Sequence, residues 1–388
     1  MSGIVIVGAG HAGLRAATSA RRSGFEGPIT LIDRDAVWPP HERPPLSKWR
    51  EDGVEARHII PAEHVDAAEL TFQRDQVEAI DPGARSLTLS DGAILGFDKL
   101  LLATGAGARA FRDAMTLRTK ADADAIRERA ADAESAIIVG AGFIGLELAS
   151  SLRTMGVAVR VVEKADRILA RGATPAVAAI VQNRHVAAGV AFSLNHSVTP
   201  EELVQADLVI AGVGSAPVVE LAEQAGLSVD NGILVDRHLC TSHPDIFAAG
   251  DCCAVPVLGE QPTRLEAWTA AGQQGDIAGH NMTCSDDLRS CELTPWLWLN
   301  QYDYVLQSAG LQKPDHQIID RAYGPDHHIS FGLSDGKLSF AVGVARGVKI
   351  AKDMRFAMKL IESARSGQHG PRRSGHCTQK SAQGIGPE

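Results

Sequence analysis

The chain has 388 residues, room for two or three domains, and its 45% apolar and 22% charged residues are the balance of an ordinary globular protein. A formal net charge of −9 argues against a nucleic-acid partner. No stretch approaches the ~20 apolar residues of a membrane span, the first apolar run, Ile4–Val7, is too short for a secretion signal, and a cytoplasmic location is expected.

The first element is a short apolar strand that runs into Gly8-Ala9-Gly10-His11-Ala12-Gly13. A helical pattern, Leu14 to Arg22, follows, and then a second strand, Ile29–Ile32, which ends in acid at Asp33 or Asp35. This is a dinucleotide fingerprint inside a βαβ unit. Gly8 makes the tight turn, Gly10 lets backbone approach a pyrophosphate, and Gly13 lets helix and strand pack closely. The pyrophosphate lies on the positive end of the helix, and the acid accepts from a ribose hydroxyl. Val77–Leu89 alternates and reads as hairpin strands. Lys99–Ala103 reads as a buried strand ending in Ala103-Thr104-Gly105, and Lys120–Ala133 as a helix.

The fingerprint then recurs as Gly140-Ala141-Gly142-Phe143-Ile144-Gly145, with a helical pattern Leu146–Met155, a strand Val157–Val162 and the acid Glu163. Further strands, Asp207–Ala211 and Ile246–Ala249, end in Gly212-Val213-Gly214 and Gly250-Asp251, and a helix is expected from about Arg264 to Asn281. Strands ending in such turns present backbone at the carboxyl edge of an α/β sheet, where ligands bind. Asp251 reads either as an acceptor for a sugar-alcohol hydroxyl or as a helix N-cap. Segment 292–365 holds strands and a final helix with no fingerprint, and residues 366–388 read as a disordered tail. Two dinucleotide sites in one chain point to hydride transfer from a nicotinamide to a flavin.

Further residues carry a resemblance. His41-Glu42-Arg43-Pro44-Pro45-Leu46-Ser47-Lys48 resembles the R-P-P-L-S-K motif of FAD-dependent NADH:ferredoxin reductases, which serve Rieske-type dioxygenases of aromatic hydrocarbon catabolism and some cytochrome P450 systems. Gly142 to Glu147, Thr241 to Asp251, Arg264-Leu265-Glu266 and Pro295-Trp296-Leu297-Trp298 match in the same order. The fold implied is α/β: two Rossmann-like dinucleotide-binding domains, for FAD and NAD, plus a small α+β C-terminal domain. The boundaries expected are 1–111 and 235–291 for the two parts of the FAD domain, 112–234 for the NAD domain and 292–365 for the C-terminal domain. The resemblance implies that Gly8, Gly10, Ala12, Gly13, Asp33, Asp35, Arg43, Lys48, Val77, Ala103, Thr104, Gly105, Arg118, Gly250, Asp251 and Trp268 hold FAD. It implies that Gly140, Gly142, Ile144, Gly145, Glu147, Glu163 and Gly214 hold NADH. Lys48, Glu147 and Trp298 would carry the electron transfer. The sequence departs from the family at His41, Ala267-Trp268, Pro217-Val218 and Asn300.

Read by residue chemistry, Lys48 is either a positioned cation near the flavin or a surface lysine, and Glu147 is either its partner across the pocket or a helix-dipole carboxylate. The six cysteines show no metal spacing and no C-x-x-C. None falls in residues 36–60, where disulfide reductases place theirs, so electrons leave for an external acceptor. Cys252 and Cys253 read as packing residues, and His185, His327 and His328 as surface histidines. Arg346, Lys349, Lys352, Arg355 and Lys359 form a basic stretch, either a dock for an acidic 2Fe–2S ferredoxin or a solvated helix face. NADH is expected over NADPH, because Glu163 repels a 2′-phosphate, although Arg160 and Lys164 stand beside it. The other readings are an NADH oxidase or peroxidase, and an NADH-sensing flavoprotein resembling those related to apoptosis-inducing factor.

Overall fold

The computed structural model describes residues 3–34, 38, 40–50, 53–54, 57–256, 261–347 and 350–366. Asp35, Lys349 and residues 367–388 of the expected tail lie outside them. The strand Gly3–Val7 sits in the middle of a sheet, flanked in parallel by Ile29–Asp33 and Ile94–Leu102. All five of its residues are buried, which explains an unbroken apolar run instead of an alternating one. Thr71–Arg74 extends one side of the sheet in parallel. The hairpin Val77–Asp81 and Ser86–Leu89 extends the other side antiparallel, as the alternation indicates. Ile246–Ala248 pairs in parallel with Leu100–Leu102, so this sheet is assembled from two stretches far apart in the chain.

Between those stretches a second, wholly parallel sheet forms. Its order is Met115–Thr116, Leu208–Ala211, Ser135–Val139, Ala158–Val162 and Ala191–Ser193. A third sheet is antiparallel, in the order Trp296–Gln301, Tyr304–Gly310, Lys337–Arg346, His327–Ser334 and Gln317–Gly324. The helix Ile350–Ser366 lays Ile350, Met354, Ala357 and Ile361, spaced by three or four residues, on one face of the third sheet. The opposite face contributes Leu299, Leu306, Phe340, Val342 and Val344 to one core with Leu146, Val177 and Val181 of the second unit.

Helix boundaries shift modestly from those read in the sequence. The fingerprint helices start at the turn itself, as His11–Arg22 and Phe143–Thr154, and the helix from Lys120 stops at Ala131. The helix expected from Arg264 starts only at Trp268. Arg264 is held outside it, with its guanidinium 3.2 Å from the Asp251 carbonyl and 2.8 Å from Glu266. His185 is not at the surface. It is 0% exposed, donates through Nε2 to Gln301 at 2.7 Å, and burial holds its pKa down at about 4.

The two stretches of the first sheet are locked together by helices His11–Arg22 and Trp268–Asn281. These meet backbone to backbone at Gly275 and Gly279, and Gly272 lies under the His11 ring. A Cβ at Gly275 would stand 2.3 Å from the Ala12 carbonyl, and one at Gly279 would stand 2.1 Å from the Ala16 carbonyl. Asp276, between them, pairs with Arg15 and with Arg22 at 2.9 Å. Gly279→Ala forces the helices apart, and the expected loss is about 1–3 kcal/mol, the usual cost of overpacking. Chemical denaturation measures it, and an unchanged midpoint would contradict this packing.

Candidate active site

One cleft of about 2070 Å³ runs between the carboxyl edges of the two parallel sheets and is closed at one end by the third. That is about twice the upper range of a single small-molecule pocket, ~1,000 Å³. Both fingerprints open into it. Gly8 and Gly140 each have φ +102°, and a Cβ on them would lie 2.3 Å from the Ala103 carbonyl and 2.5 Å from that of Gly212. Gly13 and Gly145 pack on their own turns: a Cβ on them would lie 1.9 Å and 2.2 Å from the carbonyls of Gly8 and Gly140. Gly10 and Gly142 have nothing within 4 Å of a Cβ position, so bare backbone faces open space at both. Ala12, Asp33, Val77, Ile144 and Gly214 also line the cleft.

The acids close each turn. Asp33 accepts from the Ala9 amide at 2.7 Å, and Glu163 accepts from Ala141 at 2.7 Å and from Ala165 at 2.9 Å. Each carboxylate keeps acceptor capacity for a ribose hydroxyl. Arg160, which stood as a rival for a phosphate, is committed to Glu202 at 2.8 Å, while Lys164 lines the cleft.

At the first fingerprint the strand-end turns converge. Arg118 and Arg43 place guanidinium nitrogens 3.7 and 3.9 Å from the Cβ position of Gly105, beside Ala103 and Thr104. Thr104 donates to the Val218 carbonyl at 2.7 Å. Asp251 caps no helix: the N-cap of the following helix is Ala267, and Asp251 pairs with Arg118 at 2.9 Å. The Gly250 amide donates to the fully buried Gln274 at 2.7 Å.

An aromatic row forms one wall. His11 stacks on Trp268 with centroids 4.1 Å apart, Trp268 meets Trp298 edge-on at 5.7 Å, and Trp298 leans on Trp296 at 5.4 Å. Burial, reinforced by Arg15, holds the His11 pKa down at about 4, so its ring is neutral near pH 7. His11 Nδ1, Trp268 Nε1 and Arg118 Nε are buried without a hydrogen-bond partner in the protein.

Between the fingerprints, Lys48 Nζ stands 2.9 Å from Glu147 Oε1, the ion pair expected across the pocket. Lys48 also donates to the Pro44 carbonyl at 2.7 Å, and Ser47 donates to the other Glu147 oxygen. Burial pushes the Glu147 pKa up, and the Lys48 charge opposes that rise. Ser47 and the His11–Trp268 stack were not singled out from the sequence. The only signal for Ser47 was its place inside R-P-P-L-S-K. No cysteine is among the described residues lining the cleft. Cys252 and Cys253 are fully buried packing residues, and burial pushes both thiols up.

The basic stretch is only partly available. Arg346 is tied to Asp303 at 2.6 Å, a carboxylate that also holds Arg184 at 2.9 Å. Lys352, Arg355 and Lys359 are exposed on the helix Ile350–Ser366, beside Phe356 at 63% exposure and Leu360 at 44%.

Residues 2–275 match the pyridine nucleotide-disulphide oxidoreductase family and residues 296–370 match a reductase C-terminal family. The chain is 36% identical to the ferredoxin–NAD(+) reductase component of the anthranilate 1,2-dioxygenase system of Burkholderia cepacia, over 92% of this chain and 93% of that protein. It is 35% identical to putidaredoxin reductase of Pseudomonas putida, over 82% of each. Among solved structures, the ferredoxin reductase for the CYP199A2 system of Rhodopseudomonas palustris matches with a TM-score of 0.83 at 31% identity, over 92% of this chain and 94% of that one. The reductase in a covalent putidaredoxin reductase–putidaredoxin complex matches with a TM-score of 0.82 at 31% identity, over 93% of each chain. The chain belongs to the pyridine nucleotide-disulphide oxidoreductase family and carries that family's reductase C-terminal domain.

Proposed function

We propose that this chain takes a hydride from NADH onto FAD and passes the electrons to a small 2Fe–2S ferredoxin that feeds an oxygenase, a Rieske dioxygenase or a P450. The observation that carries the reading is one cleft with two fingerprints, an ion pair between them, and no thiol on its described walls. The first fingerprint fits FAD. Gly10 bares backbone, Arg43 and Arg118 converge beside Gly105, and the partnerless atoms of His11, Trp268 and Arg118 want a polar ligand. FAD takes two electrons as hydride and releases them singly, which no side chain does. On this reading 1–111 with 235–291 hold FAD, 112–234 hold NADH, and 292–365 form the outer wall.

The protein's part is placement. Lys48 is held from two sides, by Glu147 and by the Pro44 carbonyl, so its charge stands fixed where negative charge develops, at no reorganisation cost. Trp298 closes the cleft toward solvent. A thiol-dependent oxidase or peroxidase finds no cysteine among the described residues of these walls. The five described cysteines are free, which supports a reducing compartment, the cytoplasm. No helix among the described residues is long and apolar enough to cross a membrane.

Reconstitution tests the reading. NADH, this protein and a 2Fe–2S ferredoxin should reduce cytochrome c, and omitting ferredoxin should abolish the activity. Equal rates without ferredoxin would contradict it.

Coenzyme choice follows from the second fingerprint. With Arg160 spent on Glu202, kcat/KM for NADH should exceed that for NADPH by at least about tenfold, or roughly 1.4 kcal/mol. Glu163→Ala should narrow the gap. Equal values for the parent would refute the assignment of Glu163.

Docking follows from the third sheet. Trp298 pairs with Gln307 and Gln307 with Gly343, so these share a face. A Cβ on Gly343 would touch Ile350, so Trp298 and the final helix lie on that same face. Exposed Phe356 among Lys352, Arg355 and Lys359 offers an apolar anchor inside a positive rim. Phe356→Ala, or Lys352→Glu with Arg355→Glu, should raise the KM for ferredoxin about tenfold, or roughly 1.4 kcal/mol. Ferricyanide reduction should be unchanged, and the charge effect should fade with salt. Parallel loss of both activities would sink the docking assignment.

A further inference from the structure

Glu147 is 6% exposed and is met by three residues from two distant parts of the chain. Lys48 and Ser47 reach it from the 44–48 turn. The backbone amide of Asn300, on the strand Trp296–Gln301, faces the same carboxylate and favours its charged form. Four residues along the same helix, and so on the same face, stands Ser151. Its hydroxyl donates to the Ser47 carbonyl at 2.7 Å and accepts from the Trp49 amide at 3.2 Å. Ser47 is 4% exposed and is therefore clamped twice: its carbonyl by Ser151, its hydroxyl on Glu147. Lys48 is the charged group facing Glu147, and Ser47 and the Asn300 amide are neutral donors.

A buried carboxylate needs its lone pairs filled, and the filled geometry fixes its rotamer. Without Ser47, one Glu147 oxygen loses a donor, and the carboxylate is free to turn from Lys48. We propose that Ser47 is a positioning residue for hydride transfer: its hydroxyl holds the Glu147 carboxylate on Lys48, and so keeps the ammonium where the two dinucleotides meet. The inference rests on the NADH–FAD reading given above. It assigns Ser47 no contact with either dinucleotide.

The test uses the FAD-loaded protein and a double-mutant cycle. Ser47→Ala, Glu147→Gln and the double variant are compared by stopped-flow bleaching of the flavin with NADH, and by the flavin midpoint potential. Ser47→Ala should retain its FAD and bind NADH within about twofold of the parent. It should bleach about tenfold more slowly, the worth of one hydrogen bond to a charged group. The double variant should be no slower than Glu147→Gln alone. The potential should move in the same direction in both single variants, and Ser47→Thr should regain most of the rate. Multiplying effects in the double variant would overturn the proposal, as would an unmoved potential. Lost FAD, or weaker NADH binding at an intact rate, would show a merely structural tie and overturn it equally. A parent protein that NADH fails to bleach would instead sink the NADH–FAD reading.

Discussion

The buried carboxylate of Glu147 is the constraint around which the molecule is arranged. Helix Phe143–Thr154 carries it, the 44–48 turn supplies Lys48 and Ser47, and the third sheet supplies the Asn300 amide. A carboxylate this deep is tolerated only when paired and hydrogen-bonded. The three units that bury it must therefore sit in register for it to be satisfied. The same register puts both fingerprints on one cleft and sets Trp298, two residues from Asn300, at its outer wall.

The cleft has two ends built on one plan. Each turn has a glycine at φ +102°, a later glycine packed against that first glycine's carbonyl, an open glycine, and a carboxylate 2.7 Å from the amide that follows the first glycine. Their surroundings differ. The first end gathers Arg43, Arg118 and partnerless His11 and Trp268 atoms, and suits a ligand that stays. The second has Ile144 at 45% exposure, and suits one that comes and goes.

The sequence made legible what is local. A glycine turn between a buried strand and a helix is specified within about fifteen residues, and both turns form as read. The Lys48–Glu147 pair was legible as well, because the proline-stiffened turn and the fingerprint helix each supply one partner. What escaped depends on residues brought together from far along the chain. His185 looks like a surface helix residue until Gln301 and the third sheet cover it. The helix expected from Arg264 is delayed because Asp251 and Glu266 hold that side chain. Arg346 reads as part of an open basic stretch until Asp303 reaches it. The His11–Trp268 stack exists only because Gly272, Gly275 and Gly279 let two distant helices touch.

An anaerobic titration of the yellow holoprotein with NADH addresses the central claim most directly. The described cleft walls carry both fingerprints and no thiol, so the protein should store two electrons per flavin and no more. One NADH per FAD should complete the bleaching, with no further uptake. Uptake of a second equivalent would reveal a redox-active thiol pair, and failure to bleach would show that the two fingerprints do not serve one electron path; either result would contradict this account.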